Sequence, residues 1–341
     1  MNPDYLLSNY NYNLPESLIA YERGDGPSDR MLVLDRGRNE ITHCQVKDIL
    51  SFINKNVLVV FNDTKVIPAR LLGVKDRTGG KVDAVLLGTE DGIRWRALIK
   101  PRQRLKEGQR IIFEGVLSAV YIGGNELEFE KEVDISLLEK IGRMPLPPYI
   151  KRTPREDDRL RYQTVYAQHY GAIASPTAGL HFDKSLLYEI EKVSAGVEFV
   201  TLHVGYGTFA PIKVEDIREH RMHKEWISVK AETIKKIHMA KTSGKEVLAI
   251  GTTVVRTLEA IGYEVLSPSG KDIGLWTDLF IYPGFEFKVV DHIFTNFHLP
   301  KSSLLVLVSA FVGRERLLWA YREAVSKEYR FFSYGDAMLI W

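Results

Sequence analysis

The stretch Ile93-Arg-Trp-Arg-Ala-Leu-Ile99 sets arginines against apolar or small residues in alternation, the period of a strand with one face buried and the other in water. It stands in a series. Thr78-Gly79-Gly80 precedes residues 81–87, Glu90-Asp91-Gly92 precedes 93–99, and Lys106-Glu107-Gly108 precedes 109–113. Gly123-Gly124-Asn125 then separates 117–122 from 126–130. Turn residues at such regular spacing predict a small barrel or sandwich from about Val66 to Glu130. Pro145, Pro147 and Pro148 mark the exit from it, since proline lacks the N–H that a ladder needs.

The flanks read differently. Val57-Leu-Val-Val-Phe61 is a continuous apolar run, like a strand covered on both faces, and ends in the polar turn Asn62-Asp63-Thr64. Asp183 is placed to cap a helix over 184–193, with Leu186, Leu187, Ile190 and Val193 on one face. Residues 245–250 form another buried strand, running into Gly251-Thr252-Thr253 and a helix to Ala260; a further helix is predicted over 314–329. Buried strands alternating with helices imply an α/β layer. The economical architecture is an α/β main domain made of 1–65 and 150–341, interrupted by an inserted β-domain at 66–149.

Composition narrows the class. The chain has 341 residues, 46 basic against 44 acidic for a net charge of +2, with 45% hydrophobic and 26% charged residues. These are values of a folded protein, not a disordered one, and the length favours two domains or three. The longest apolar run, 304–312, is too short for a bilayer, which needs ~20 residues, and the first twenty residues lack the pattern of a signal peptide. A single cysteine, Cys44, excludes an internal disulfide and a cysteine-based metal cluster. We therefore expect a soluble, cytoplasmic protein with no membrane association and no obligate protein partner. Two basic stretches, Arg94 to Arg110 and Arg143 to Arg161, read either as solvated rims or as phosphate contacts.

Several familiar chemistries are missing. There is no GxGxxG and no Walker A pattern; Gly205-Tyr206-Gly207-Thr208 lacks the third glycine. Ser175-Pro-Thr-Ala-Gly-Leu-His181 is not a nucleophile elbow. His203, His220 and His223 lack the spacing of a zinc site, so no metal is expected. The Gly251-Thr252-Thr253 turn can hold a carboxylate or phosphate at a helix start, or be an ordinary cap by one of the threonines. Five segments mix glycine, proline, aromatic and polar residues beyond what a core requires. They are 174–182, 200–209, 280–285, 295–300 and 330–338.

Together these segments resemble the S-adenosylmethionine:tRNA ribosyltransferase-isomerase family of queuosine biosynthesis. The same resemblance is carried by Asn62-Asp-Thr-Lys-Val-Ile-Pro-Ala-Arg-Leu71, Pro145-Leu-Pro-Pro-Tyr-Ile-Lys151 and Arg161-Tyr-Gln-Thr-Val-Tyr166. It extends to His220-Arg-Met-His-Lys-Glu-Trp226 and Ile250-Gly-Thr-Thr-Val-Val-Arg256, in order along nearly the whole chain. Lys65, where the family often has arginine, and Lys301-Ser302-Ser303 are small departures. The resemblance implies a six-stranded β-barrel inserted in the α/β domain. It also implies a reaction. The ribosyl part of S-adenosylmethionine moves onto the aminomethyl group of a 7-deazaguanine at the tRNA wobble position, is isomerised, and leaves epoxyqueuosine, adenine and methionine. The partners are then S-adenosylmethionine and that tRNA. The donor is consumed, so no cofactor is expected.

That chemistry needs a base for the C5′ hydrogen acidified by the sulfonium, a donor to departing adenine, and a neutral attacking amine; proton transfers and displacements suffice. For acid–base work the candidates are His181, His203, His298, Asp63 and Asp336, each in a turn-rich segment. Each can equally be a hydrogen-bonded structural residue. For the donor and substrate the candidates are Asn62, Thr177, Gly179, Gly205, Gly207, Thr208, Thr252, Thr253 and Asn296, with Tyr282, Phe285 or Tyr334 facing the adenine or sulfonium. For tRNA phosphates they are Arg70, Lys151, Arg152 and Arg330. Two rival functions are an S-adenosylmethionine-dependent RNA methyltransferase, disfavoured by the absence of an early glycine-rich loop, and a non-catalytic RNA-binding module.

Overall fold

Every residue of Val57–Asn62 is buried, which requires neighbours on both sides and cover on both faces. The computed structural model supplies them; it describes residues 2–205, 207 and 211–341. The chain divides into two units. The first holds residues 1–65, 163–169 and 175–341, and the second 66–162 and 170–174.

The strands, in chain order, are β1 (Arg30–Asp35), β2 (Glu40–Gln45), β3 (Val57–Asn62), β4 (Thr64–Val66), β5 (Arg70–Lys75), β6 (Lys81–Thr89), β7 (Arg94–Lys100), β8 (Gln109–Phe113) and β9 (Leu117–Tyr121). They continue with β10 (Glu126–Phe129), β11 (His169–Ala172), β12 (Gly196–Leu202), β13 (Glu225–Val229), β14 (Glu246–Ile250), β15 (Ile273–Thr277), β16 (His292–Asn296) and β17 (Ala337–Ile340).

The first unit is built on a nine-stranded sheet of order β15-β13-β12-β3-β14-β16-β17-β1-β2. Its centre, β12-β3-β14-β16, is parallel. β17 runs antiparallel to β16 and parallel to β1. In such sheets ligands sit beyond the carboxyl ends of the parallel strands. Here those ends are Asn62, Leu202, Ile250 and Asn296, so the segments at 200–209 and 295–300 meet the Asn62-Asp63-Thr64 and Gly251-Thr252-Thr253 turns at one edge. Beneath them, Phe61 packs edge-on against Phe182 with ring centroids 5.2 Å apart, and Phe182 does the same against Phe294 at 5.1 Å.

The helix Lys184–Val193 is capped as its sequence predicts, Asp183 Oδ1 accepting from Leu186 N–H at 2.7 Å. The expected cap at the start of Thr252–Ala260 is different. Gly251 occupies the cap position with φ of +97°, and no side chain caps the helix, so Thr252 and Thr253 are released from that role. The last helix is Arg314–Ser326, ending before 329 because Lys327 leaves the helix and Glu328 turns at φ of +56°. The apolar run at 304–312 is the buried helix Ser303–Val312, capped by Ser302. Among the described residues no helix is long and apolar enough to cross a membrane.

The second unit contains a closed antiparallel barrel, β10-β7-β6-β5-β8-β9, so the alternating strands form a barrel rather than a sandwich. On β7 the alternation is realised: Trp95, Ala97 and Ile99 point into the barrel core, while Arg94 and Arg96 are exposed. Closure leaves no unpaired edge. This unit also takes in residues 150–162, tied down by Arg152 on Asp158 at 2.6 Å and by Arg159 donating to the Glu139 carbonyl at 2.8 Å.

Candidate active site

A cleft in the first unit opens at the carboxyl ends of the parallel strands. Its polar lining includes Thr177, Thr252, Thr253, Thr295, Asn296 and His298. Ala178, Val204, Phe297 and Leu304 supply apolar wall, and Lys301 stands at the rim. Convergent hydroxyl, amide and imidazole groups on an apolar floor suit a nucleoside-like ligand. Of the residues predicted from sequence for the site, the cleft brings together Thr177, Thr252, Thr253, Asn296 and His298.

Behind its wall runs a buried chain of polar groups. Thr177 Oγ1 donates to Asn296 Oδ1 at 2.9 Å, Asn296 Nδ2 lies 3.0 Å from His181 Nε2, and His181 Nδ1 lies 2.8 Å from Asp29 Oδ2. Arg330 Nη2 then bridges Asp29 Oδ1 and Asp336 Oδ1, each at 2.9 Å. Burial works against the Asp29 charge, but the hydrogen bond to His181 and the Arg330 guanidinium help to outweigh it and hold its carboxyl below the usual range. Asp336 is fixed on the backbone N–H and guanidinium of Arg330.

His298 is a different kind of histidine. Its Nε2 lies 3.0 Å from Thr295 Oγ1, and burial pushes its pKa down to about 3. It is therefore neutral at physiological pH, a hydrogen-bonding group rather than a proton store. The depression has a consequence for stability. Between about pH 6.5 and 3 the unfolded chain takes up a proton that folded His298 refuses, so folding stability falls as pH falls through that window. About 2 kcal/mol is expected to be lost from this residue between pH 7 and pH 5. Urea-unfolding midpoints across that range check it, and His298→Gln should flatten the slope.

A second cluster lies where β3 and β12 end. Asp63 Oδ1 accepts from Thr201 Oγ1 at 2.6 Å, and its other oxygen is 3.6 Å from His169 Nε2. Burial raises the Asp63 pKa against the opposing pull of that hydrogen bond and of His169. His203 Nδ1 lies 2.8 Å from Thr64 Oγ1, and burial lowers its pKa, helped by His169. Asn62 joins this cluster to the cleft. Its Nδ2 donates to the Leu202 carbonyl and to Thr253 Oγ1, both at 3.1 Å, while Oδ1 accepts from the Thr64 and Leu202 N–H groups.

Other residues singled out from sequence have different surroundings. Gly179 faces Tyr166: a Cβ there would lie 2.0 Å from the tyrosine hydroxyl, so its glycine serves packing. Gly205 N–H donates to Glu225 Oε1 at 2.9 Å, and Glu225 pairs with Arg256, both buried. Gly207 packs beside the His223 ring, and Thr208 lies outside the described residues. Tyr282 packs against Tyr5 and Phe285 against Phe287, neither on the cleft wall; Tyr334 is buried. Of the four cations expected at phosphate, Arg70 is closed on Asp83 at 2.6 Å, Arg152 on buried Asp158, and Arg330 on its two aspartates. Lys151 is exposed. Reasoning from sequence missed Asp29, Thr64, Thr201 and the Glu225–Arg256 pair as site residues; all but Asp29 lay in segments already quoted. Among the described residues no group of three His, Cys, Asp or Glu is placed to hold a metal ion.

Residues 7–340 match the family described as Queuosine biosynthesis protein. The chain belongs to that family. It is 47% identical over 344 aligned positions to the S-adenosylmethionine:tRNA ribosyltransferase-isomerase of Acetivibrio thermocellus, covering 98% of this chain and 99% of that one. It is also similar to the crystal structure of S-adenosylmethionine tRNA ribosyltransferase from Thermotoga maritima, with a TM-score of 0.56, 36% identity, and coverage of 98% of this chain and 100% of that chain. Family membership agrees with the α/β domain carrying an inserted six-stranded barrel, and every segment from Asn62 to Met338 on which the cleft argument rests lies inside the match.

Proposed function

We propose that this protein is an S-adenosylmethionine:tRNA ribosyltransferase-isomerase of queuosine biosynthesis. It transfers the ribosyl unit of S-adenosylmethionine to 7-aminomethyl-7-deazaguanine at the tRNA wobble position and rearranges it to epoxyqueuosine, releasing adenine and methionine. The observation that carries this reading is the match to the Acetivibrio enzyme across nearly the full length of both chains. The reaction proceeds by proton transfers and displacements on a donor that is consumed, so the proposal includes no metal or redox cofactor. Its setting is the cytoplasm, where the tRNA is.

In this reading the cleft takes the donor. Thr177, Asn296, Thr252 and Thr253 meet its ribose and adenine polar atoms, and Lys301 and the first turn of Thr252–Ala260 favour the methionyl carboxylate. Asn62, at the end of β3, supports the cleft through Thr253 Oγ1. Among the acid–base candidates, His203 carries protons, Asp63 supports its surroundings, and His181, His298 and Asp336 orient. Phosphates of the tRNA are met by Lys151 and by exposed barrel cations such as Arg96 and Arg104.

The test is a turnover assay with purified protein, S-adenosylmethionine and an anticodon stem-loop carrying the aminomethyl-deazaguanine. Free adenine is followed by chromatography and the RNA by mass. Adenine released in step with RNA gaining the rearranged ribosyl unit is the expected result. RNA gaining one methyl group, with S-adenosylhomocysteine as co-product, would replace the reading with a methyltransferase. Binding without turnover would replace it with a non-catalytic module.

A further inference from the structure

The buried chain behind the cleft has a direction, set at its far end. Asp29 is 6% exposed, His181 3% and Asn296 3%, so none of them can exchange its partners for water. Asp29 Oδ1 accepts from Arg330 Nη2 at 2.9 Å and from the Asp25 backbone N–H at 3.0 Å. Gly24 closes over this pair, a Cβ there falling 2.0 Å from Asp29 Oδ1. Asp29 Oδ2 is left for His181 Nδ1 at 2.8 Å. A carboxylate only accepts, so Nδ1 carries a proton, and the neutral imidazole then offers a lone pair at Nε2 to the Asn296 nitrogen 3.0 Å away. Asn296 must then turn its NH2 toward His181, an orientation the Gly335 carbonyl, 3.5 Å from the same nitrogen, also favours. Asn296 Oδ1 is thereby aimed at Thr177, whose single hydroxyl proton is used on it at 2.9 Å. What Thr177 has left for the cleft is lone pairs.

We propose that Asp29 is a positioning residue that fixes the polarity of the chain Asp29–His181–Asn296–Thr177, so that Thr177 meets the bound donor as a hydrogen-bond acceptor and selects a ligand O–H or N–H at that point. The inference rests on S-adenosylmethionine as the cleft's ligand, but its structural half does not. Asp29→Asn inverts the chain with almost no change of shape. Two donors, Arg330 and the Asp25 N–H, hold the carbonyl oxygen of the new amide, so its NH2 faces His181 Nδ1. The imidazole proton moves to Nε2, the Asn296 amide flips, and Thr177 turns its proton into the cleft, against the ligand's own donor. Such tautomer trapping by an isosteric amide is a known route to losing function without losing fold.

Two readouts test this. In ¹⁵N-histidine spectra, His181 is expected as the Nδ1–H tautomer in the wild type and the Nε2–H tautomer in Asp29→Asn. In equilibrium binding, S-adenosylmethionine affinity is expected to fall about tenfold or more in Asp29→Asn. Adding Asn296→Asp should recover most of it, because a carboxylate accepts from both His181 Nε2–H and the Thr177 hydroxyl and restores the acceptor face. A wild-type Nε2–H tautomer, or an affinity loss in Asp29→Asn that Asn296→Asp fails to recover, overturns the proposal. If the wild type does not bind S-adenosylmethionine at all, the functional reading fails, and the tautomer readout still decides the polarity.

Discussion

Arg256→Ala is expected to destabilise the first unit by about 3–5 kcal/mol, the cost of leaving a buried charge without its partner. Arg256 and Glu225 are 2% and 3% exposed and pair directly. Arg256 Nε also donates to the Leu279 carbonyl at 3.1 Å, so one guanidinium ties the helix after β14 to β13 and to the loop after β15. Removing it strands the Glu225 carboxylate in a place water does not reach. The comparison that isolates the mechanism is Glu225→Gln with Arg256→Met. That double variant removes both charges, keeps an acceptor for the Gly205 N–H and keeps most of the volume, so it should recover much of the loss. Urea unfolding followed by circular dichroism measures both. A loss below about 1 kcal/mol for Arg256→Ala would mean that the pair contributes little beyond its neighbours.

The same pair shows where the sequence was legible and where it was not. The barrel could be read because its information is local: turn residues every few positions, and a period of two that places Trp95, Ala97 and Ile99 inside and Arg94 and Arg96 outside. The buried strand at 57–62 and the Asp183 cap were local in the same sense. The site is not local. Asp29 sits in Gly24-Asp-Gly-Pro-Ser-Asp29, which reads as a turn and nothing more, and the guanidinium it accepts from lies 301 residues away. No periodicity reports such a pair. Charge runs misled for a related reason. Around Arg152 the mixture of signs reads as a solvated rim or a phosphate contact, yet Asp158 is 1% exposed and Arg152 is closed on it through two hydrogen bonds. The threonines at 252 and 253 were legible as a pair, but their release from capping was not, because it depends on Gly251 adopting a left-handed φ.

Turnover should fall about a hundredfold in Asn296→Ala, measured as the single-turnover rate of adenine release with saturating RNA. Asn296 ends β16 and is the only link between Thr177 in the cleft and His181 behind it among the hydrogen bonds described here. Its loss leaves buried His181 Nε2 without its partner and frees the Thr177 hydroxyl proton to turn into the cleft, against the ligand. Each of these costs on the order of 1–3 kcal/mol, and a hundredfold is ~2.7 kcal/mol. The effect should divide in an informative way. If Asn296 orients groups that meet the ligand equally in the ground and transition states, the loss falls on the KM for S-adenosylmethionine and leaves kcat nearly intact. If the chain serves departing adenine or the C5′ proton, kcat carries the loss, since only interactions stronger in the transition state accelerate the chemistry. A rate within threefold of wild type, with folding unchanged, would remove Asn296 and the groups behind it from the active site and leave the Asp63, Thr64 and His203 cluster as the place where the proton chemistry is done.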